Sequence, residues 1–456
     1  MRLFKKLAIP DSNQLIFGKS PNPVRCGKDL EIGGGLVYPE INFTLPQMLI
    51  EEKTWNEVLK HYEEIAHDIL QRTKELKIPG LVVEFEELPP MTMKPEWGAE
   101  ITALLQKRLH QFNKETGIPT ALRVTVVDVR DAERPPLLRE GKLWETTREA
   151  FVLAAQAGAD ILSIESVGGK EVHDQALVYG DLAGICGSLG SLAWRDVGWL
   201  WDEITAIAEE YNIIPGGDTA CGFSNTAMQL AGKGMLPTVL AAIDRAASAP
   251  RSLAAYEHGA VGPSKDCAYE GPILKAITGY PISMEGKSAC CAHFSPLGNI
   301  AGAVTDLWSN ESVQNIRLLS GNAPAAFLEL LAYDCRLFNT SSLNNPLQYR
   351  KLLVESDISL SVEALMLEPN VVIKIASAIV AHEGGYRQTL AAVKTAYHEI
   401  CGAIADKTVT ISEKEQVWLN NLEKQIEALP QEDDAAIEYL KNNYGTFFRP
   451  ESYKLD

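Results

Sequence analysis

The amino-acid sequence predicts a (β/α)₈ barrel, and three observations lead to that fold class. Short apolar runs alternate with longer helical stretches from about residue 54 onward, which indicates βαβ units and a parallel sheet. A series of six or more such units fits either a closed barrel or a doubly wound open sheet. No GxGxxG motif follows the first predicted strand, and no GxxxxGK(S/T) motif occurs. Because nucleotide-binding open sheets usually carry one of these motifs, the barrel is favoured.

The elements of the barrel are predicted in chain order. Helical stretches are predicted at 54–76, 98–117, 143–158, 193–210, 226–247 and about 270–279. The strands that follow them are predicted at 81–88, 121–129, 160–166, 212–219, 252–259 and 282–286. Two further helical stretches, 297–319 and 323–335, complete the repeating part of the chain.

Two flanking regions differ from this repeating part. Residues 1–50 are rich in Gly and Pro and lack a helical period, and 32–43 is typical of a turn-rich segment lying over other structure. Beyond about residue 345 the periodicity is helical, without strands between the helices. We therefore predict an N-terminal extension (1–50) packed on the barrel, a TIM-barrel catalytic domain (51–345) and a C-terminal helical region (346–456).

Composition limits the classes of function. Of 456 residues, 46% are hydrophobic and 22% are charged, and the net charge is −18. So negative a chain is poorly suited to phosphate backbones, and no nucleic-acid partner is expected. No apolar run is long enough for a signal peptide or a transmembrane helix, so we expect a cytoplasmic protein without membrane association. Its eight cysteines are then expected to be reduced, and they lack the CxxC spacing of structural zinc sites.

Catalytic side chains of a barrel come from the carboxyl ends of the strands and the loops that follow. Four successive predicted strands are followed by polar or sulfur-bearing residues there. Strand by strand, these are Glu165; Asp218 and Cys221; Glu257, His258, Asp266 and Cys267; and Glu285, Cys290, Cys291 and His293. Metal ligation or acid–base chemistry at this end of the barrel is therefore a hypothesis that the strand ends support.

A glutamate and two cysteines from separate strands would make a three-ligand zinc site with an open fourth position, as catalytic zinc sites have. The plainer interpretation is that each cysteine is a small buried apolar residue and each histidine a hydrogen-bonded core residue. A glutamate at a strand end fits that interpretation less well, because a buried charge needs a partner. The adjoining Cys290 and Cys291 cannot both point to one face if they lie in a strand.

At these residues the chain resembles the methanol–corrinoid methyltransferases, the zinc-bearing subunits of the methanol-utilising systems of methanogens and some anaerobic bacteria. Similar stretches are DLEIGGGLVYPEINF (29–43), EWGAE (96–100), SIESVGGKEV (163–172), GGDTACG (216–222), LWSNESV (307–313) and LAYDC (331–335). The longest and most specific is SAPRSLAAYEHGAVGPSKDCAYEGPILKAITGYPISMEGK (248–287). The resemblance spans nearly the whole chain and is weakest after about residue 345.

The resemblance implies a (β/α)₈ barrel with one catalytic zinc ion, whose ligands map onto Glu165, Cys221 and Cys267. It also implies transfer of the methyl group of methanol to Co(I) of a corrinoid. Zinc suits this reaction because a Lewis acid on the alcohol oxygen stabilises that oxygen as it leaves. The CysCys sequence at 290–291 departs from the pattern of the archaeal members, which have one cysteine there, and raises the question of extra ligands.

The proton that the leaving oxygen needs is not assigned by the resemblance. Asp218, Glu257 and His258 are candidates to donate it or to orient the ligands, and the sequence does not choose among them.

The corrinoid is expected to come from another chain. Its usual lower-ligand motif is DxHxxG, and none of the eight histidines has an aspartate two residues before it. We therefore expect a small corrinoid protein to dock over the barrel mouth, and the resemblance implies a homodimer of this subunit within a hetero-oligomer. The C-terminal helices are either a docking platform or a structural cap.

Three alternatives remain open at this point. The first is a zinc methyltransferase acting on a thiol, with Cys221, Cys290 and Cys291 as a three-thiolate site. The second keeps the chemistry but takes another small methyl donor, such as a methoxylated or N-methylated compound. The third is a non-catalytic barrel that binds a corrinoid protein.

Overall fold

Strands and helices alternate through most of the part of the chain that the computed structural model describes, which is residues 2–43, 48–310, 317–318 and 321–455. The side chains of Asp266, Arg317 and Leu318 lie outside the described residues. The strands are β1 Lys19–Cys26, β2 Leu30–Gly34, β3 Tyr38–Phe43, β4 Leu81–Glu86, β5 Thr120–Val126, β6 Ile161–Ile164, β7 Ile214–Asp218, β8 Ser264–Asp266, β9 Ile282–Glu285, β10 Leu307–Ser309, β11 Arg317–Leu318 and β12 Gly321–Asn322.

The helices of the barrel region lie between these strands and outside them. They are α1 Trp55–Glu75, α2 Pro89–Met93, α3 Pro95–Thr116, α4 Lys142–Ala157, α5 Lys170–Tyr179, α6 Leu182–Gly187, α7 Trp194–Tyr211, α8 Thr226–Gly232, α9 Thr238–Glu257, α10 Gly271–Thr278, α11 Lys287–Ala292 and α12 Ala323–Ser342. Those that follow are α13 Pro346–Asp357, α14 Val362–Leu365, α15 Pro369–Val380, α16 Gly385–Ala405, α17 Glu413–Ala428 and α18 Asp433–Tyr444. Two π-helical turns, Ser188–Ala193 and Cys221–Asn225, interrupt the series.

Strands β3 to β10 form one parallel sheet in chain order, and β10 returns to pair with β3. The sheet is nearly closed: at the remaining seam, the amide of Val261 donates to the carbonyl of Pro215 at 2.9 Å. Gly217 lets β7 and β8 approach there, because a Cβ at this position would lie 2.9 Å from the Cβ of Ser264. Its φ of +142° also favours glycine. The predicted fold class, a (β/α)₈ barrel followed by a helical region, is confirmed.

The antiparallel hairpin β1–β2 covers the amino-terminal end of this barrel. Leu30 and Ile32 of the hairpin form a buried apolar cluster with residues near the starts of the barrel strands, including Val82, Ala121 and Leu307. Burial of this apolar surface closes one end of the barrel. The opposite end, where the strands finish, is left for a functional site.

Three predicted elements are wrong. The segment predicted as a strand at 252–259 belongs mostly to helix α9, and the barrel strand at this point is β8. Nearly all of α9 is buried, because it packs against α7, α8 and α16, so no polar stripe marks 252–257 as the continuation of the helix predicted at 226–247. Pro250 lies inside α9, and because helices usually end before proline, it favoured the prediction of a helix end before 252.

The second error concerns the helix predicted at 297–319. Its described residues form a 3₁₀ turn, Ile300–Ala303, and strands β10 and β11 instead, while 311–316 and 319 lie outside the described residues. The third concerns 32–43, which was predicted as a turn-rich segment. It contains β3, a fully buried member of the barrel sheet whose neighbours are β4 and β10.

The interior of the barrel carries charged side chains as well as apolar ones. Arg123 of β5 donates to Glu40 Oε1 of β3 at 2.6 Å and to Ser163 Oγ of β6 at 2.9 Å, and all three residues are buried. Burial raises the pKa of the Glu40 carboxyl, and the guanidinium of Arg123 opposes that rise. A buried ion pair needs such additional hydrogen bonds to offset the desolvation of its charges.

Helices α13 to α18 form the C-terminal region without a strand among its described residues. Helices α15 and α16 pack on α10 and α9. The end of the chain returns to the barrel, where the hydroxyl of Tyr453 accepts a hydrogen bond from the amide of Gly169 at 2.8 Å. None of the helices in the described ranges is long and apolar enough to span a bilayer.

Candidate metal centre

Three side chains from successive strand ends converge at the carboxyl end of the barrel. Glu165 follows β6 directly, Cys221 is the first residue of the π-helical turn after β7, and Cys267 follows β8 directly. One donor atom from each lies within 4.8 Å of the other two. Among the described residues, these three thus form a group compact enough to hold one metal ion.

The sulfur atoms of Cys221 and Cys267 are in contact, with Cα atoms 5.3 Å apart, so the structure pairs them as a disulfide. The expectation that all eight cysteines are reduced therefore differs from the structure at this pair, while the six others are free. A third donor, Glu165 Oε1, lies 3.7 Å from Cys267 Sγ. A disulfide needs no third donor, whereas two thiolates sharing one ion do.

The donor set fits a zinc ion. Zinc binds cysteine sulfur and carboxylate oxygen in tetrahedral geometry, and three protein ligands leave its fourth position open for a substrate. Two neighbouring side chains also reach the sulfur atoms. Asn225 Nδ2 lies 3.6 Å from Cys221 Sγ, and Thr219 Oγ1 lies 4.0 Å from Cys267 Sγ. Hydrogen bonds of this kind orient metal ligands.

A cavity of about 290 Å³ opens beside these three residues. It is lined by polar, charged and sulfur-bearing side chains, which are those of Asn42, Glu86, Glu165, Cys221, Asn225, Gln229, Lys265, Cys267, Glu285 and His293. These residues come from strands or loops on several sides of the barrel. The site can therefore surround a small polar substrate, not a large apolar one.

Lys265 of β8 supplies the positive charge at the base of this cavity. Its ammonium lies 2.9 Å from Glu86 Oε2, 3.4 Å from Glu84 Oε1 and 3.8 Å from Glu165 Oε1. Burial by itself lowers the pKa of Lys265, but the surrounding carboxylates raise it well above its ordinary value, so the side chain is charged. Burial raises the pKa of Glu165 to about 7, and the attraction of Lys265 opposes that rise.

Asp218, at the end of β7, ties the loops of the site together. Its carboxylate accepts hydrogen bonds from Trp201 Nε1 at 2.9 Å and from the Thr219 amide at 2.9 Å. The amide of Ser166 donates to it at 3.3 Å and the guanidinium of Arg251 at 3.0 Å. With its oxygens so engaged, Asp218 does not line the cavity. This geometry supports an orienting role for Asp218 and not proton donation.

Comparisons with known proteins agree with this geometry. A sequence model described as the methanol–cobalamin methyltransferase B subunit matches residues 1–454. The methanol–corrinoid protein co-methyltransferase of Methanosarcina barkeri (strain Fusaro / DSM 804) is 37% identical over 99% of this chain and 98% of its own length. The chain belongs to the methanol–cobalamin methyltransferase B subunit family. It is therefore a methyltransferase, as predicted.

A solved structure of the same family is similar over its whole length. The crystal structure of the methanol:cobalamin methyltransferase complex MtaBC from Methanosarcina barkeri contains a chain with a TM-score of 0.95 to this one and 36% identity. The alignment covers 100% of both chains. The barrel and the C-terminal helices are thus common to this protein and a crystallographically characterised relative.

Two of the residues that the sequence predicted for the site, Glu257 and His258, do not line the cavity. Glu257 is the last residue of α9 and His258 follows it, close to the point where Val261 bonds to the beginning of β7. They therefore lie at the end of the barrel where strands begin. His258 Nδ1 lies 2.8 Å from Asp202 Oδ1, and burial raises the pKa of Glu257 to about 7. Their placement as strand-end residues was wrong because 252–257 is helical.

The CysCys sequence also stays outside the cavity. Cys290 is buried on α11 with its sulfur 3.0 Å from the hydroxyl of Tyr269, and Cys291 is exposed. The three-thiolate site of Cys221, Cys290 and Cys291 is thus not formed by the described residues. Of the other residues noted after β9, Glu285 and His293 do line the cavity.

Several cavity residues were not singled out from the sequence, chiefly Lys265, Glu86 and Asn225. The alternation of β4 gave a usable signal for Glu86, because Glu84 and Glu86 are two residues apart and so point to one face of the strand. Lys265 gave no such signal, because β8 has only three residues and was not recognised as a strand.

Proposed function

We propose that this protein activates methanol on a zinc ion held by Glu165, Cys221 and Cys267, and that the methyl group passes to Co(I) of a corrinoid carried by a partner protein. The observation that carries the proposal is the convergence of one carboxylate and two cysteine sulfurs, within 4.8 Å, at the carboxyl end of the barrel. The names of the relatives supply the substrate and the acceptor. The identity of the ion is inferred from the donor set.

When bound, zinc supplies Lewis acidity at the alcohol oxygen, and the corrinoid supplies the nucleophile. The methyl group of methanol would pass to the corrinoid of the partner protein as its C–O bond breaks, and the oxygen would leave as water after gaining a proton. Two thiolates and one carboxylate place a formal charge of −3 around a divalent ion. A third thiolate in place of the carboxylate would donate more electron density, which suits a thiol nucleophile better than an alcohol leaving group.

The chain itself positions the reactants. Asn225 and Thr219 orient the two sulfur atoms, and Asp218 fixes the loops that carry Glu165 and Cys221. The cavity of about 290 Å³ is large enough to receive the small alcohol beside the proposed ligands. Holding two reactants in line in this way can lower the barrier by several kcal/mol.

The proton for the leaving oxygen is best supplied from the cavity wall. The described residues that line the cavity include four side chains able to carry a proton that are not proposed ligands, namely Glu86, Lys265, Glu285 and His293. Glu86 and Lys265 form an ion pair with each other at 2.9 Å. His293 Nε2 lies 3.5 Å from Asn225 Nδ2, which in turn contacts Cys221. We therefore propose His293 or Glu285 for this role, in place of Asp218, Glu257 and His258.

The acceptor is proposed to sit on a separate corrinoid protein that docks over the barrel mouth. The sequence has no DxHxxG motif for the corrinoid, and the similar crystal structure is of a two-component complex. A homodimer of this subunit and a role for helices α13 to α18 in docking remain predictions.

The test is the metal content of the wild type and of Glu165→Gln, followed by methylation of cob(I)alamin with methanol as donor. The expected result is close to one zinc per chain in the wild type and strongly impaired methylation in the variant. Free-thiol titration of the zinc-loaded and chelator-treated protein under argon shows whether Cys221 and Cys267 are thiolates. Zinc without turnover of methanol would redirect the proposal to another small methyl donor, and absence of zinc would overturn it.

A further inference from the structure

Lys265 is placed to act on the metal site without being a ligand. It is buried in β8, two residues before Cys267, and its ammonium contacts carboxylates from two other strands. One of these contacts is to the proposed ligand Glu165, whose Oε1 lies 3.8 Å from the ammonium. The same Oε1 lies 3.7 Å from Cys267 Sγ. A single oxygen of Glu165 thus faces both the lysine and the sulfur side of the site.

Negative charges outnumber positive charges around this oxygen. In the proposed zinc site, where Cys221 and Cys267 are thiolates, these two sulfurs and the carboxylates of Glu84, Glu86 and Glu165 bring five negative charges. Lys265 brings one positive charge, in contact with the three carboxylates. Lys265 is 4% exposed and Glu84 is fully buried, so salt screens this interaction poorly. A cation entering the site therefore meets a field of Lys265 that salt screens little and that the contacting carboxylates offset in part, and it shares Glu165 with the ammonium.

We propose, resting on the zinc site proposed above, that Lys265 is a positioning residue that limits how strongly Glu165 binds the metal ion. By holding Glu165 and placing a positive charge beside the ion, it weakens metal binding and keeps the ion poor in electrons. An electron-poor ion polarises an alcohol oxygen more effectively. Lys265 thus lowers the affinity of the site for zinc and raises the ability of the bound ion to polarise the alcohol oxygen.

This proposal predicts that substitutions of Lys265 and of its partner Glu86 change zinc affinity in opposite directions. Lys265→Met removes the competing charge and should tighten zinc binding by roughly tenfold or more, because a unit charge a few ångströms from a divalent ion acts strongly in a protein interior. Glu86→Gln removes the carboxylate 2.9 Å from the ammonium and leaves more of its field for the ion. Zinc binding should then weaken by roughly the same factor. If the pair were only a structural contact, both substitutions would loosen the site and weaken binding together.

The experiment measures the zinc dissociation constant of each full-length variant by competition with a chromophoric chelator at pH 8, where free carboxylates are ionised. Lys265→Arg keeps the charge and should retain the wild-type affinity, and so should Lys374→Met, which removes a lysine paired with Glu399 on the C-terminal helices. Lys265→Met should also methylate cob(I)alamin more slowly at saturating zinc and methanol, despite its tighter metal binding.

The outcomes separate the two proposals. A wild type that binds no zinc overturns the proposed function itself. A wild type that binds zinc while Lys265→Met and Glu86→Gln shift its affinity in the same direction, or not at all, overturns only the role of Lys265. If Lys265→Met does not fold, the comparison of Lys265→Arg with Glu86→Gln decides the matter. Unchanged zinc affinity in Lys265→Arg beside weakened affinity in Glu86→Gln supports a charge effect. An equal loss of affinity in both variants contradicts it.

Discussion

The guanidinium of Arg251, on helix α9, donates to the carboxylate of Asp218, at the end of β7, across 3.0 Å, and both side chains are fully buried. The same guanidinium donates to the carbonyl and the hydroxyl of Ser166, the residue after Glu165. One outer helix of the barrel therefore fixes two of the strand ends from which the metal centre is built. Stability of the fold and geometry of the site are joined at this contact.

We expect Arg251→Met to lower the free energy of unfolding by about 3 kcal/mol, because removing one partner of a buried ion pair leaves the other charge uncompensated. Urea denaturation of the metal-free protein measures this change. The surface pair Lys374–Glu399 is the matched control, and Lys374→Met should change stability by about 0.5 kcal/mol or less. Equal effects of the two substitutions would show that the buried pair does not hold the strand ends.

Cys221→Ala and Cys267→Ala should each abolish zinc binding and methanol-dependent methylation of cob(I)alamin, while the far-UV circular dichroism stays that of the wild type. Each substitution removes one of three proposed ligands but little buried apolar surface. Cys290→Ala is the control, because its sulfur contacts Tyr269 and does not line the cavity. A Cys221 or Cys267 variant that is fully active and contains zinc would contradict the proposed ligand set.

Glu257→Gln and His258→Ala should leave kcat/KM for methanol unchanged, since both residues lie at the end of the barrel where the strands begin. His293→Ala, in contrast, alters a side chain that lines the cavity and should lower kcat with zinc still bound. Steady-state kinetics together with metal analysis distinguishes these cases. Loss of activity in Glu257→Gln with an intact fold would restore that residue as a proton donor.

Stability should depend on pH through Glu87, which follows β4. Burial raises the pKa of its carboxyl to about 7, and the Thr92 hydroxyl, which donates at 2.6 Å, opposes that rise. Because the folded pKa lies above the unfolded value, the stability that Glu87 contributes is complete below the unfolded pKa of about 4.5. It is lost as pH rises through 7. Glu87→Gln should therefore be more stable than the wild type at pH 8 by about 3 kcal/mol.

The measurement is chemical denaturation of the wild type and Glu87→Gln at pH 5 and pH 8. The difference between the two proteins should be small at pH 5 and large at pH 8. Glu64→Gln, at a side chain that is half exposed, should show no such pH-dependent difference. A constant difference at both pH values would mean that the Glu87 carboxyl ionises in the folded protein as readily as in the unfolded one.

The sequence predicted the barrel because most strands carry their own signal. Strand β4, for example, begins with three apolar residues and then alternates apolar with acidic residues, next to Pro79 and Gly80, and its start was predicted to the residue. Strand β8 could not be found in this way, because its three residues follow a helix that is buried on every side. A helix that is buried all round has no polar stripe to mark where it ends.

The candidate site was predictable only in part for a related reason. Glu165, Cys221 and Cys267 follow strands directly or within a few residues, so the topology brings them together without further information. The role of Lys265 depends on contacts with residues up to 181 positions earlier, on another strand, and no local sequence pattern predicts such a contact. Glu257 and His258 were misplaced because the element before them was assigned to the wrong class.

The hydrogen bond between the amide of Gly169 and the hydroxyl of Tyr453 makes the C-terminal region part of the support of the metal centre. Gly169 lies in the loop that also holds Glu165, between β6 and α5. A shift of the segment that carries Tyr453 would therefore move backbone four residues from a proposed ligand. The region that follows the barrel is thus a brace for the site as well as a layer of helices packed outside it.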